Sequence, residues 1–157
     1  IAAASTEEKL ALCRAQGADE VILYSEEDLK TRAKELSGGG VNVVYDPVGD
    51  AFADPALRTL APEGRYLVIG FAGGEIPRVP WNLILLKQCQ VVGVNWGGWT
   101  MGHREENEAL FASVSDWVEA GRLKPVEPSL YPLEGLSEAL RALLDRKIVG
   151  KAALNLD

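Results

Sequence analysis

Short apolar runs alternate along this chain with amphipathic stretches of helical length. Residues 1–4, 20–24, 41–45, 65–69 and 90–95 read as strands, with a brief one at 129–131 and a last one at 151–156. Between them, residues 5–16, 26–36, 51–60, 82–87, 105–120 and 137–145 carry helical patterning. Ser5-Thr6-Glu7-Glu8 has capping-box spacing, with Ser5 as the cap and Glu8 reaching back, and Gly17 stands where a left-handed residue ends the helix. Leu10, Leu12, Cys13 and Ala15 are then available to face a sheet. Pro55 must sit in the first turn of its helix or bend it. The β-branched run 41–45 suits a strand buried on both faces. Strands alternating with helices predict a parallel, doubly wound α/β sheet. Glycine clusters fall at strand ends, where such sheets bind ligands.

Composition narrows the partners. The chain has 157 residues, 47% hydrophobic and 25% charged, enough for one domain with a core. A formal net charge of -7 disfavours nucleic acid and anionic membrane as partners, while leaving room for a local basic pocket. No apolar run is long enough to span a bilayer, and residues 1–6 lack the basic start of a signal peptide. Cys13 and Cys89 lie far apart and read as two reduced, packed thiols of a cytoplasmic protein. No His/Cys/Asp/Glu cluster has zinc spacing, and the lone His103 reads as a solvated loop residue beside Gly102 and Arg104. The chain opens on Ile1 inside an apolar run, from which a missing N-terminal portion is expected.

The ordered succession Ser5-Thr6-Glu7-Glu8-Lys9, Gly17-Ala18-Asp19, Val43-Val44-Tyr45-Asp46-Pro47-Val48-Gly49, Gly64-Arg65-Tyr66-Leu67-Val68-Ile69-Gly70-Phe71 and Gly121-Arg122-Leu123-Lys124-Pro125 is distinctive as a set, as is the ending Tyr131-Pro132-Leu133-Glu134 with Val149-Gly150-Lys151. It resembles the C-terminal half of the zinc-free quinone oxidoreductase (zeta-crystallin-like) branch of the medium-chain dehydrogenase/reductase superfamily. That resemblance implies a Rossmann-like domain over 1–125 that lacks its first β-α unit. It also implies a return segment over 126–157 that joins a catalytic domain. The glycine-rich turn that sets backbone N–H groups against a pyrophosphate belongs to the absent unit. Gly38-Gly39-Gly40 cannot replace it, because it ends a helix.

The resemblance further implies a cofactor, NADPH, and the residues around it. Where NAD-preferring enzymes carry an Asp or Glu for the ribose hydroxyl, this chain has Ala4-Ser5. Ser5, Lys9 and Tyr24 are placed to meet a 2′-phosphate. Read alone they are a cap, a solvated charge and a strand end. Gly49, Val68, Ile69, Gly70 and Phe71 match positions lining the nicotinamide and its ribose, and Val94, Asn95 and Trp96 match the last cofactor-contacting stretch. Trp96 and Trp99 form either an aromatic wall for a flat substrate or a core or dimer surface. Hydride transfer to a quinone or activated enone is the implied reaction, with the chemistry carried by the cofactor; no residue here has an evident general-acid role. A different class of function is a non-catalytic fold or dimerisation module, with chains pairing through residues 91–95.

Removing the first unit from strand order 3-2-1-4-5-6 leaves two outcomes. Closure of the sheet gives order 2-1-3-4-5. Retention leaves a gap about 9.6 Å wide, two strand spacings. The strand 151–156, without its catalytic-domain sheet, is expected to be displaced, exposed or paired with another chain.

Overall fold

The structure, a computed structural model, describes residues 1–156. Its elements run β1 (Ala2–Ala4), α1 (Glu7–Ala15), β2 (Val21–Leu23), α2 (Leu29–Leu36), β3 (Val41–Asp46), a 3₁₀ turn (Asp50–Phe52), α3 (Ala53–Thr59) and β4 (Leu60–Val68). They continue as α4 (Trp81–Lys87), β5 (Gln90–Gly93), α5 (Trp96–Thr100), α6 (Arg104–Glu119), β6 (Ser129–Pro132), a second 3₁₀ turn (Leu133–Gly135), α7 (Leu136–Leu144) and β7 (Ala152–Asn155). The fold is α/β and Rossmann-like, and every strand pair is parallel. Among the described residues the strands form three sheets, β1-β2, β3-β4-β5 and β6-β7.

The gap is retained. β1 and β3 do not pair, and a cavity of 430 Å³ lies between them, walled by Ala3 and Ile22 on one side and Val41, Val43 and Tyr45 on the other. The closed order 2-1-3-4-5 is therefore not formed. Helix α2 packs on α3, and the Tyr24 and Phe52 rings meet at 4.5 Å. These contacts hold the two sheets on either side of the cavity. β3 departs from the expected burial on both faces: Val44 packs on the core, whereas Val43 and Tyr45, on the other face, line the open cavity and are 48% and 67% exposed.

The principal core lies under β4. Ala53 and Leu57 of α3 meet Leu60, Tyr66 and Cys89, with Val44, Val68 and Ile84 packed around them. Leu10 and Ile22 are buried on the β1-β2 side. The remaining surface is large. A compact monomer of this mass exposes about 7,700 Å², whereas this chain exposes 11047 Å². Much of the excess is apolar: Leu140, Leu143 and Leu144 of α7 and Val91 and Val92 of β5 are all exposed.

Local chemistry shifted several boundaries. Thr6, not Ser5, caps α1: its backbone is extended (φ -143) and its Oγ1 accepts from the Lys9 N–H at 3.4 Å. Helix α2 starts later than the expected residue 26, because the Asp28 carboxylate accepts from the Thr31 N–H at 2.8 Å and sets the first turn there. Pro55 sits in the first turn of α3, where its missing N–H costs nothing. Residues 61–64, between the expected helix and strand, are absorbed into β4 as a bulge: Val41 pairs with Leu60 but Val43 pairs with Arg65, and Glu63 takes φ 62. The last strand is not displaced; β7 pairs with β6 inside the chain.

Candidate functional site

Because β3, β4 and β5 are parallel, their carboxyl ends share one edge, and the turns leaving them meet there. Asp46 ends β3. Its Oδ1 accepts from the N–H groups of Val48 at 2.8 Å and Gly49 at 3.0 Å, the Asx arrangement that a short acidic side chain favours in turns. Its Oδ2 accepts from the Tyr66 hydroxyl, and its backbone carbonyl accepts from Ile69 N–H at 3.0 Å. The two turns are then laced together: Ala72 N–H donates to Pro47 O at 3.0 Å and Gly73 N–H to Val48 O at 2.8 Å. Gly49 has φ 66 and ψ -132, a conformation open essentially to glycine. A Cβ on it would stand 2.8 Å from the Phe71 ring. Gly49, Ile69, Gly70 and Phe71 are thus brought into one cluster. Val94 joins it by donating its N–H to Val68 O at 2.9 Å.

Burial, and then the hydrogen bond to the Asp46 carboxylate, push the Tyr66 hydroxyl well above its usual range. A tyrosine whose pKa is higher folded than unfolded contributes stability that is complete below the unfolded value, about 10, and is lost as pH rises beyond it. Tyr66→Phe is therefore expected to flatten the fall in denaturation midpoint above pH 10. Equal slopes for wild type and variant in alkaline melts would count against this role.

Ser5 and Tyr24 follow β1 and β2, on the far side of the cavity. Tyr24 donates its N–H to Ala4 O at 3.2 Å, and the Ser25 hydroxyl donates to Ser5 O at 3.1 Å. Tyr24 lines the 430 Å³ cavity. Lys9 is engaged elsewhere: its Nζ donates to Arg146 O at 2.8 Å. Arg146, itself at φ 58, reaches Gly73 O with its guanidinium at 3.4 Å. The C-terminal segment thus bridges the first helix and the β4 turn.

Asn95 and Trp96 follow Val94 directly and open α5. Asn95 Oδ1 accepts from Gly98 N–H at 3.0 Å and caps α5. Trp96 packs on Phe111 with centroids 5.6 Å apart, and Trp99 stacks on His103 at 4.6 Å. His103, read as a solvated loop residue, is exposed, while its Nδ1 lies 2.8 Å from Trp99 O.

Sequence reasoning gave no individual role to Asp46, Tyr66, Phe52 or Arg146, which the structure places in the contacts described above. An Asp-Pro pair just after an apolar run was a usable signal for Asp46. No local signal exists for Arg146, since its contact with Lys9 spans 137 positions. Among the described residues no three His, Cys, Asp or Glu side chains are grouped to hold a metal ion.

A parallel, doubly wound sheet with glycine-bearing turns gathered at its strand ends defines a Rossmann-like domain. The chain belongs to the zinc-binding dehydrogenase family, whose pattern matches residues 1–116. Among curated proteins it is 40% identical over 161 residues to quinone oxidoreductase-like protein 2 of Bos taurus, a match covering 99% of this chain and 45% of that protein. Among solved structures it is similar to a Pseudomonas syringae quinone oxidoreductase, with 29% identity and a TM-score of 0.88 over 98% of this chain and 48% of that one. The Escherichia coli quinone oxidoreductase solved in complex with NADPH is as similar, with 29% identity and a TM-score of 0.86 over 98% of this chain and 48% of that one. The chain thus spans about half the length of the relatives it matches.

Proposed function

We propose that this chain is the cofactor-binding half of an NADPH-dependent oxidoreductase that transfers hydride to a quinone or an activated enone. The observation that carries the reading is the gathering of Gly49, Gly70, Phe71 and Val94 at the carboxyl ends of parallel strands, in a chain similar to an enzyme solved with NADPH. The residues present suit the two ends of that cofactor. Bare backbone at Gly49 and Gly70, with Val68, Ile69 and Phe71, forms a wall for the nicotinamide and its ribose. Ser5 and Tyr24 offer hydroxyls to a 2′-phosphate, with Lys9 supplying charge once its ammonium leaves Arg146 O. Val94, Asn95 and Trp96 follow as the outer rim. When bound, the cofactor supplies the hydride; the chain orients it. Residues 1–125 act as the nucleotide-binding part and 126–157 as a segment that docks with a catalytic domain. Unpaired Cys13 and Cys89 suit a cytoplasmic setting.

Fluorescence titration with the two reduced cofactors tests the pocket. Hydrogen bonds to a charged group contribute about 1.5–3 kcal/mol each, so NADPH is expected to bind at least about tenfold tighter than NADH. Equal affinity would remove Ser5, Lys9 and Tyr24 from the site.

A second reading, a dimerisation module, is favoured by the open edge of β5, where Val91 is 39% and Val92 37% exposed. A homodimer through residues 91–95 is compatible with either reading. Val94 donates its N–H to β4, so by the two-residue period of a ladder Val92 faces β4 as well, and Val91 faces outward. Val91→Pro is expected to convert a dimer to a monomer in light scattering while the far-UV circular dichroism of the folded chain is retained. A dimer that survives this substitution would exclude the edge as the interface.

A further inference from the structure

We propose that Asp46 is a positioning residue of the cofactor site, setting the nicotinamide wall by fastening both strand-end turns at once; this rests on the NADPH reading above. Asp46 is 8% exposed, one of the few buried polar side chains. A carboxylate is an acceptor only, with room for several donors. Here it takes the N–H groups of Val48 and Gly49 and the Tyr66 hydroxyl. Its backbone carbonyl takes Ile69 N–H at 3.0 Å and Gly70 N–H at 3.4 Å. Five donors from two turns and a neighbouring strand therefore end on one residue.

The side chain governs more than its own turn. Oδ1 fixes Val48 and Gly49, and the carbonyl of Val48 in turn holds Gly73 N–H at 2.8 Å. Tyr66 rises from β4, so its bond to Oδ2 ties the β3 turn to the strand that delivers Ile69, Gly70 and Phe71. Asp46 also stands in the wall between the 430 Å³ cavity and a second cavity of 140 Å³ lined by Tyr66, Val68 and Phe71. Loss of the carboxylate would release Gly49 and, through Val48, the turn that carries the other half of the wall. The adenosine end, at Ser5 and Tyr24, makes no bond to Asp46 and would keep its shape.

The test separates the two ends of the cofactor. Asp46→Ala is expected to weaken NADPH roughly tenfold or more, while affinity for 2′,5′-ADP, which has no nicotinamide, changes less than about twofold. Asp46→Asn keeps an acceptor for the two amides and a donor for the Tyr66 oxygen, and is expected to restore most of the loss. Parallel weakening of both ligands, or of neither, would overturn the proposal. Amide hydrogen exchange is the second measurement, readable on Tyr66→Phe should the alanine variant not fold. Exchange at residues 69–73 is expected to rise in either variant, although their acceptors are backbone carbonyls that neither substitution removes. Unchanged exchange there overturns the coupling of the turns. Wild-type protein that binds neither ligand overturns the NADPH reading instead, and the exchange measurement still decides whether Asp46 holds both turns.

Discussion

Replacing Leu57 with alanine is expected to lower the free energy of unfolding by about 2–5 kcal/mol. Leu57 is 2% exposed and is among the largest side chains that the fold buries fully. It projects from α3 into a small cluster with Ala53, Leu60, Tyr66 and Cys89. Truncation removes apolar contacts and leaves a void that a strand-backed wall cannot close. Native domains have only about 5–15 kcal/mol to lose, so the variant sits near the threshold of folding. Leu144 of α7 is the control: it is 82% exposed, and its alanine variant is expected to change stability by less than about 0.5 kcal/mol. Urea denaturation of the two variants measures the contrast. Equal midpoints would place the effective core somewhere other than beneath β4.

Gly49→Val is expected to have the largest effect on the site. Two costs coincide. A φ of 66 with ψ -132 costs a residue with a side chain about 1–3 kcal/mol, and more for a β-branched one. The new Cβ would also stand 2.8 Å from Phe71 Cδ1. A phenyl ring can swing away, but here it swings out of the wall assigned to the nicotinamide. We therefore expect a lower melting temperature together with a loss of NADPH affinity of about tenfold or more. Gly17→Ala separates strain from position. Gly17 also has positive φ, at 99, yet a Cβ there meets nothing within 4 Å. It should lose stability alone. If both variants lose stability and neither loses affinity, Gly49 lies outside the binding site.

The order of elements was legible because each rests on local chemistry. Apolar runs of strand length, Gly17 and Gly121 after helices, and Pro55 in a first helical turn all act within a few residues. The resemblance to quinone oxidoreductases was legible for the same reason, being an ordered string of strand-end motifs. Local patterning did mislead where two neighbours competed. Ser5 and Thr6 both suit a cap, and backbone geometry chose Thr6.

By itself, then, the sequence determined the alternation of strands and helices, the family, and which residues stand at the strand ends. It did so because hydrophobic period, capping and turn chemistry are properties of neighbours in the chain. Only the tertiary structure decided that the gap between β1 and β3 stays open, that β7 finds β6, that Lys9 is drawn to Arg146, and that Asp46 joins two turns. Each of these depends on groups brought together by packing from distant parts of the chain, and distance along the chain leaves no periodic or compositional trace.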